Sequence, residues 1–171
     1  MDIISTERLK LIPLTQAQLE LGLAELPKLE DELGMVIARD FVTDRVQRAI
    51  RMKVEKMREA EPSTHAWFTY WLIVIKVEKV GAGMLGFKGY PNEKGSTEIG
   101  YGIDPAYQNK GYMTEAVQAL IDWAFLHPFC REITATEVYN PASRRLLEKL
   151  GATLTENNEK FTSWKIQKAI T

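Results

Sequence analysis

The residues that could do chemistry begin at Glu98, in the run Glu98-Ile99-Gly100-Tyr101-Gly102-Ile103. On an extended chain Glu98, Gly100 and Gly102 share one face, opposite Thr97, Ile99, Tyr101 and Ile103. Two missing side chains beside a carboxylate leave space for a ligand to lie along the strand. A partly buried Glu98 could then take a proton as a general base. The same pattern also describes a solvated strand carboxylate, and the strand alone does not choose between them.

Gln108-Asn109-Lys110-Gly111-Tyr112-Met113 comes next. It precedes a helical pattern, and a helix N-terminus offers unpaired N–H groups and partial positive charge to an anion. Gly111 allows close approach of the backbone, and Lys110 adds charge at the rim. An ordinary strand-to-helix turn would have the same glycine, so spacing leaves both readings open. Asn140 and Ser143 open a last helix, where they can cap backbone groups or face a ligand. His65, His127 and Cys130 lack the spacing of a metal site, and no metal is expected.

The elements that must hold these residues follow from periodicity and punctuation. Arg8 to Ile12 alternates as a first strand, ended by Pro13. Thr15 caps a helix to about Leu26, broken by Pro27, and Lys28 to Val42 reads as a short helix and loop. Asp44 to Glu61 is helical, with Val46, Ile50, Val54 and Met57 on one stripe, and Pro62-Ser63-Thr64 is a loop. Phe68 to Val77, Gly83 to Tyr90 and Thr97 to Ile103 read as strands, joined by turns at Glu78-Lys79 and Pro91 to Gly95. A helix from Gly111 to Leu126 follows, then a strand from Glu132 to Tyr139. Pro141 to Leu150 is a helix with Asn140 as N-cap and Gly151 past its end. Thr153 to Thr155 and Phe161 to Ile166 form a closing hairpin. The fold class is α+β, a mixed sheet flanked by helices, and residues 1–171 are expected to form a single domain.

The chain has 171 residues, 45% of them apolar and 26% charged, as in ordinary globular proteins. A formal net charge of -1 argues against nucleic acid or an anionic membrane as the principal partner. Residues 1–5 lack the basic start and apolar run of a signal peptide, and the single cysteine permits no intrachain disulfide, so a cytoplasmic location is expected.

Together the motifs resemble the GNAT acetyltransferase superfamily, most closely its ribosomal-protein-alanine N-acetyltransferase-like branch. The resemblance is carried by Glu98 to Ile103, by Gln108 to Ala116, and by Asn140 to Ala152, in family order and separation. It implies a mostly antiparallel sheet whose central strands splay into a V that holds acetyl-CoA. By that pattern the backbone of Tyr101, Gly102 and Ile103 pairs with the pantetheine arm. The N–H groups of Gln108, Asn109, Lys110, Gly111, Tyr112 and Met113 hold the pyrophosphate. Asn140 and Ser143 face the far end of pantetheine. The implied reaction is direct attack of a primary amine on the thioester, with Glu98 as base. The acceptor is a protein N-terminus or a small molecule, and a homodimer is allowed.

Two positions depart from the family. Met113 stands where the phosphate loop often ends in Gly or Ala. Leu147 stands where many relatives carry a tyrosine that protonates the sulfur. Ser143 is the expected substitute donor, and Tyr139, adjacent in sequence, is expected to point to the other side of the strand end. A non-catalytic acyl-CoA-binding module is the rival expectation that Leu147 supports.

Overall fold

A computed structural model describes residues 1–170. Its frame is a nine-stranded sheet of β1 (Ile4–Ser5), β2 (Leu9–Pro13), β3 (Val36–Ile37), β4 (Trp71–Ile75), β5 (Val80–Phe87), β6 (Ser96–Ile103), β7 (Glu132–Val138), β8 (Thr153–Asn157) and β9 (Thr162–Gln167). The order is β1-β2-β4-β5-β6-β7-β9-β8, with β3 beside β5. Neighbours are antiparallel except at β3/β5 and β6/β7. The sheet is flanked by α1 (Gln16–Ala24), α2 (Leu26–Leu33), α3 (Asp44–Glu59), α4 (Tyr112–Phe125) and α5 (Pro141–Lys149). The expected mixed, mostly antiparallel α+β class is therefore observed.

One core lies on each face. Leu14, Leu19, Leu29, Ile50, Val54 and Met57 pack beneath α1–α3 against Leu72, Val74 and Met84. On the other face, Ala116, Val117, Leu120, Ile121 and Ala124 of α4 meet Leu9, Leu11, Ile73, Leu85 and Ile99, with Leu146 and Leu147 of α5 beside them. Each fully buried leucine or isoleucine contributes ~1.5–3 kcal/mol, enough to fix α4 against the strands and so fix the loop at its N-terminus.

Local chemistry explains the helix starts. Thr15 caps α1 in a reciprocal box: its Oγ1 accepts from the Gln18 N–H at 3.1 Å, while Gln18 Oε1 accepts from the Thr15 N–H at 3.0 Å. Asn140 Oδ1 accepts from the Ala142 N–H at 2.7 Å and caps α5. In α3, Lys53 is buried without a carboxylate. Its ammonium donates to the carbonyls of Phe87 at 2.7 Å and Phe68 at 3.3 Å, tying α3 to the end of β5. Burial, with Lys56 and Lys88 nearby, pushes its pKa down to about 7.

Several boundaries differ from the sequence reading, and Lys28 to Val42 contains the short strand β3 as well as a helix. Pro27 does not simply end a helix; it sits in the first turn of α2, where a missing N–H costs nothing. Residues 62–67 form a 3-10 helix rather than a loop. Phe68 to Tyr70 precede β4 instead of opening it, because the N–H groups of Phe68 and Thr69 turn back to the His65 carbonyl. β5 begins at Val80, with Gly83 inside it: a Cβ there would lie 2.3 Å from the Gly102 carbonyl oxygen, so glycine is what lets β5 and β6 approach.

Candidate active site

The central feature is the parting of β6 from β7. The two pair only from Ser96↔Glu132 to Glu98↔Thr134. Beyond Glu98, β6 keeps its β5 partner through Ile103↔Gly83, while β7 continues with β9. The Lys88 N–H donates to the Glu98 carbonyl and the Asp104 N–H to the Ala82 carbonyl, each at 2.9 and 2.8 Å respectively. Antiparallel alternation then turns the backbone of Gly100 and Gly102 toward β5, and that of Ile99, Tyr101 and Ile103 toward the open edge. Tyr101 and Ile103 therefore present hydrogen-bonding groups along the gap. Gly102 turns its backbone groups to β5, so of the three residues expected to pair with a ligand only Tyr101 and Ile103 face the gap. A Cβ built on Gly100 or Gly102 meets nothing within 4 Å, so both glycines border open space.

Glu98 is the last residue before the strands part. Its side chain is 23% exposed. Oε1 accepts from Lys88 Nζ at 2.6 Å and from Thr136 Oγ1 at 2.6 Å. Lys88 extends the β5 side and Thr136 belongs to β7, so the carboxylate bridges the mouth of the gap. Oε2 has no hydrogen-bond partner among the described residues and faces no competing cation in an ion pair.

At the other end of β6, a 3-10 turn (Pro105–Tyr107) leads to residues 108–113. Asn109 has φ 60° and Gly111 φ 79°, two left-handed residues that curl the loop before α4. No side chain caps α4, and the N–H groups of residues 109–113 meet no acceptor among the described residues. A helix N-terminus with this many free donors is an anion site in waiting. Gln108 Nε2 reaches the Ile103 carbonyl at 3.4 Å, linking the loop to the open edge. Met113, the second residue of α4, packs partly buried against the core cluster.

A clamp that sequence reasoning passed over holds this loop. Arg8 donates through Nη1 to the Lys110 carbonyl at 2.8 Å and through Nε to Glu115 Oε2 at 2.7 Å, with its guanidinium 4.5 Å from the centre of the Tyr112 ring. Thr6 Oγ1 and the Arg8 N–H donate to Glu115 Oε1. Burial raises the Glu115 pKa, but these hydrogen bonds outweigh it and leave the carboxyl below its ordinary range. The signal was a carboxylate in the first turn of a helix meant to receive an anion. Such a charge needs a cation of its own, and Arg8 supplies it.

Ser143 lies on the first turn of α5, half-buried. Asn140 is exposed, with Oδ1 committed to its cap. Tyr139 is 56% exposed and lies edge-on to Phe161. Leu147 is 1% exposed and lines, with Ile99, Ile133, Ala135 and Trp164, a crevice inside the core. A tyrosine there would have to displace part of this packing. Leu147→Tyr is expected to destabilise the fold by about 1–3 kcal/mol through overpacking and a buried hydroxyl, seen as a lower Tm, with no gain in thiol-release rate. A rate increase at unchanged Tm would overturn this.

The gap, the bare glycine face and the free N–H groups fit a long ligand that is extended at one end and doubly anionic at the other. Coenzyme A has that form. Among the described residues no group of three or more His, Cys, Asp or Glu could hold a metal, and no helix is long and apolar enough to cross a membrane.

Comparison with known proteins agrees. Residues 8–153 match the family model of the acetyltransferase (GNAT) domain, and the chain belongs to that family. It is 39% identical over 98 residues to the uncharacterized N-acetyltransferase YjdG of Bacillus subtilis, covering 57% of this chain and 58% of YjdG. The chain thus spans little more than half of that relative. Among solved structures, RimL, a ribosomal L7/L12 α-N-protein acetyltransferase in complex with coenzyme A, superposes with a TM-score of 0.66 at 18% identity, covering 97% of this chain and 98% of that one. The ribosomal-protein-S5-alanine acetyltransferase of Vibrio fischeri also gives a TM-score of 0.66, at 17% identity, covering 98% and 97%. At such identities the superpositions establish the shared fold.

Proposed function

We propose that this chain is an N-acetyltransferase that moves the acetyl group of acetyl-CoA to a primary amine. The observation that carries the reading is the continuity between the unpaired edge of Tyr101 and Ile103 and the free N–H groups before α4. Pantetheine pairs along the first and the pyrophosphate sits on the second. Acetyl-CoA supplies an activated acetyl thioester. Tyr101 and Ile103 hold the arm through backbone groups, and the N–H groups of residues 109–113 hold the phosphates, with Lys110 adding positive charge at the rim. Asn140 and Ser143 face the end of the arm. Glu98 takes the ammonium proton of the acceptor through Oε2, directly or through a water. Ser143 donates its hydroxyl hydrogen bond to the sulfur as negative charge develops there.

The acceptor is a protein N-terminus or a small-molecule amine. The named activities of RimL and the Vibrio fischeri protein favour the N-terminus. The core position of Leu147 favours one rival, an acyl-CoA-binding module without turnover. Thiol release from acetyl-CoA, measured with peptides beginning in Ala or Ser and with simple amines, tests both. The expected result is release above hydrolysis with at least one peptide. Tight acetyl-CoA binding with no release for any amine would replace the transferase by the binding module.

A further inference from the structure

The first turn of α4 holds two opposed charges. Its free N–H groups suit an anion, yet Glu115 is the acidic residue of the same turn. A carboxylate so placed takes the partial positive charge of the helix end for itself and repels a second anion. Three hydrogen bonds fix it there. Oε1 accepts from Thr6 Oγ1 at 2.6 Å and from the Arg8 N–H at 2.9 Å, and Oε2 accepts from Arg8 Nε at 2.7 Å. These bonds hold its pKa below the ordinary carboxylate range, so Glu115 is charged at neutral pH. The other arm of the Arg8 fork donates through Nη1 to the Lys110 carbonyl at 2.8 Å. The peptide bonds are all trans, and across a trans peptide the C=O and the N–H point in opposite directions. A Lys110 carbonyl held toward Arg8 therefore turns the Gly111 N–H away from Arg8, and that N–H is one of the donors without an acceptor.

We propose that Arg8 is a positioning residue for the coenzyme pyrophosphate: one arm of its fork aims the Gly111 N–H into the phosphate cradle, and the other cancels the charge of Glu115 beside it. This rests on the coenzyme site proposed above. Arg8 need not touch the phosphates in this scheme; its charge is spent on Glu115. The planar guanidinium suits both tasks, because it reaches two acceptors at once where a lysine ammonium is a single point. It is also held in place, 4.5 Å from the centre of the Tyr112 ring and with Nη2 3.2 Å from where a Cβ on Gly111 would lie. The Arg8 and Glu115 side chains are 41% and 19% exposed, and so open a pair contributes little to fold stability. Its loss is felt in the cradle.

Calorimetric titration of acetyl-CoA into the wild type, Arg8→Met, Arg8→Lys and the double variant Arg8→Met/Glu115→Gln tests this, with the Tm of each. Arg8→Met is expected to weaken acetyl-CoA binding about tenfold or more, at a Tm close to the wild type. Glu115 then keeps its bonds to Thr6 and to the N–H of residue 8 but has lost its cation. Adding Glu115→Gln should regain part of the affinity and leave the rest of the loss, which belongs to the unheld Lys110 carbonyl. Arg8→Lys keeps the charge without the fork and should fall between the wild type and Arg8→Met. In thiol release, kcat/KM with acetyl-pantetheine, which has no pyrophosphate, should fall far less in Arg8→Met than kcat/KM with acetyl-CoA. Wild-type affinity in Arg8→Met would overturn the inference. So would equal losses with the two donors, the mark of a structural arginine, or a double variant that regains nothing. If Arg8→Met does not fold, Arg8→Lys decides, and wild-type affinity there overturns the inference as well. A wild-type protein that does not bind acetyl-CoA would overturn the coenzyme site itself, and is recognised before any variant is compared.

Discussion

Glu98→Gln is expected to lower kcat by about 10²-fold or more, within the range that a positioned general base contributes. The loss should be largest at low pH, where more of the acceptor amine is protonated and needs a base. Dissociation of acetyl-CoA should change little, because Glu98 lies at the mouth of the gap and away from residues 108–113. Glutamine suits the test for a geometric reason. Its amide oxygen can still accept from Lys88 and Thr136, which both reach a single oxygen of Glu98 at 2.6 Å. What disappears is the second carboxylate oxygen, which has no hydrogen-bond partner among the described residues, and the charge of the ion pair. Lys88 is 62% exposed in that pair, so the pair contributes about 1 kcal/mol at most and the fold should survive. Steady-state kinetics across pH, with calorimetric titration of acetyl-CoA, checks all three expectations. A collapse of acetyl-CoA binding at unchanged kcat would make Glu98 a structural bridge between β5 and β7.

The pieces of this site that the sequence made legible are those with strong local punctuation. β6 could be read because its side chains alternate and two glycines fall on one face. α4 and α5 could be read because Gly111, Asn140, Pro141 and Gly151 mark their ends with residues that favour those conformations. The pieces that were not legible depend on distant partners. Arg8 lies over a hundred positions from Glu115 and Lys110, yet it clamps their loop. Lys88 and Thr136 converge on Glu98 only because β5 and β7 flank β6 at the point where the strands part. Composition also misled at Phe68 to Tyr70. Aromatic residues suit strands, but here they lead out of a 3-10 helix, and Trp67 joins Phe87, Trp123 and His127 in an aromatic cluster.

Gly111→Ala is expected to weaken acetyl-CoA binding about tenfold or more, with a smaller effect on kcat at saturation. Gly111 holds φ at 79°, and a Cβ there would stand 3.2 Å from Arg8 Nη2. The left-handed conformation alone costs an alanine roughly 1–2 kcal/mol. The tight approach to Arg8 adds to that, because the guanidinium is already fixed by Glu115 and the Lys110 carbonyl. The loop relieves both strains by rotating, which turns its N–H groups away from a common centre. About 1.4 kcal/mol lost in that alignment is tenfold in affinity. Gly151→Ala serves as the control. Gly151 holds φ at 75° after α5, and its Cβ would meet nothing within 4 Å. It should lower Tm through the same conformational cost and leave acetyl-CoA affinity unchanged. Acetyl-pantetheine, which lacks the pyrophosphate, separates the causes further. Its use as a donor should be unaffected by Gly111→Ala if the glycine serves the phosphates. Equal losses with both donors would mean that Gly111 supports the fold of β6 and α4 as a whole, and that the free N–H groups before α4 hold no pyrophosphate.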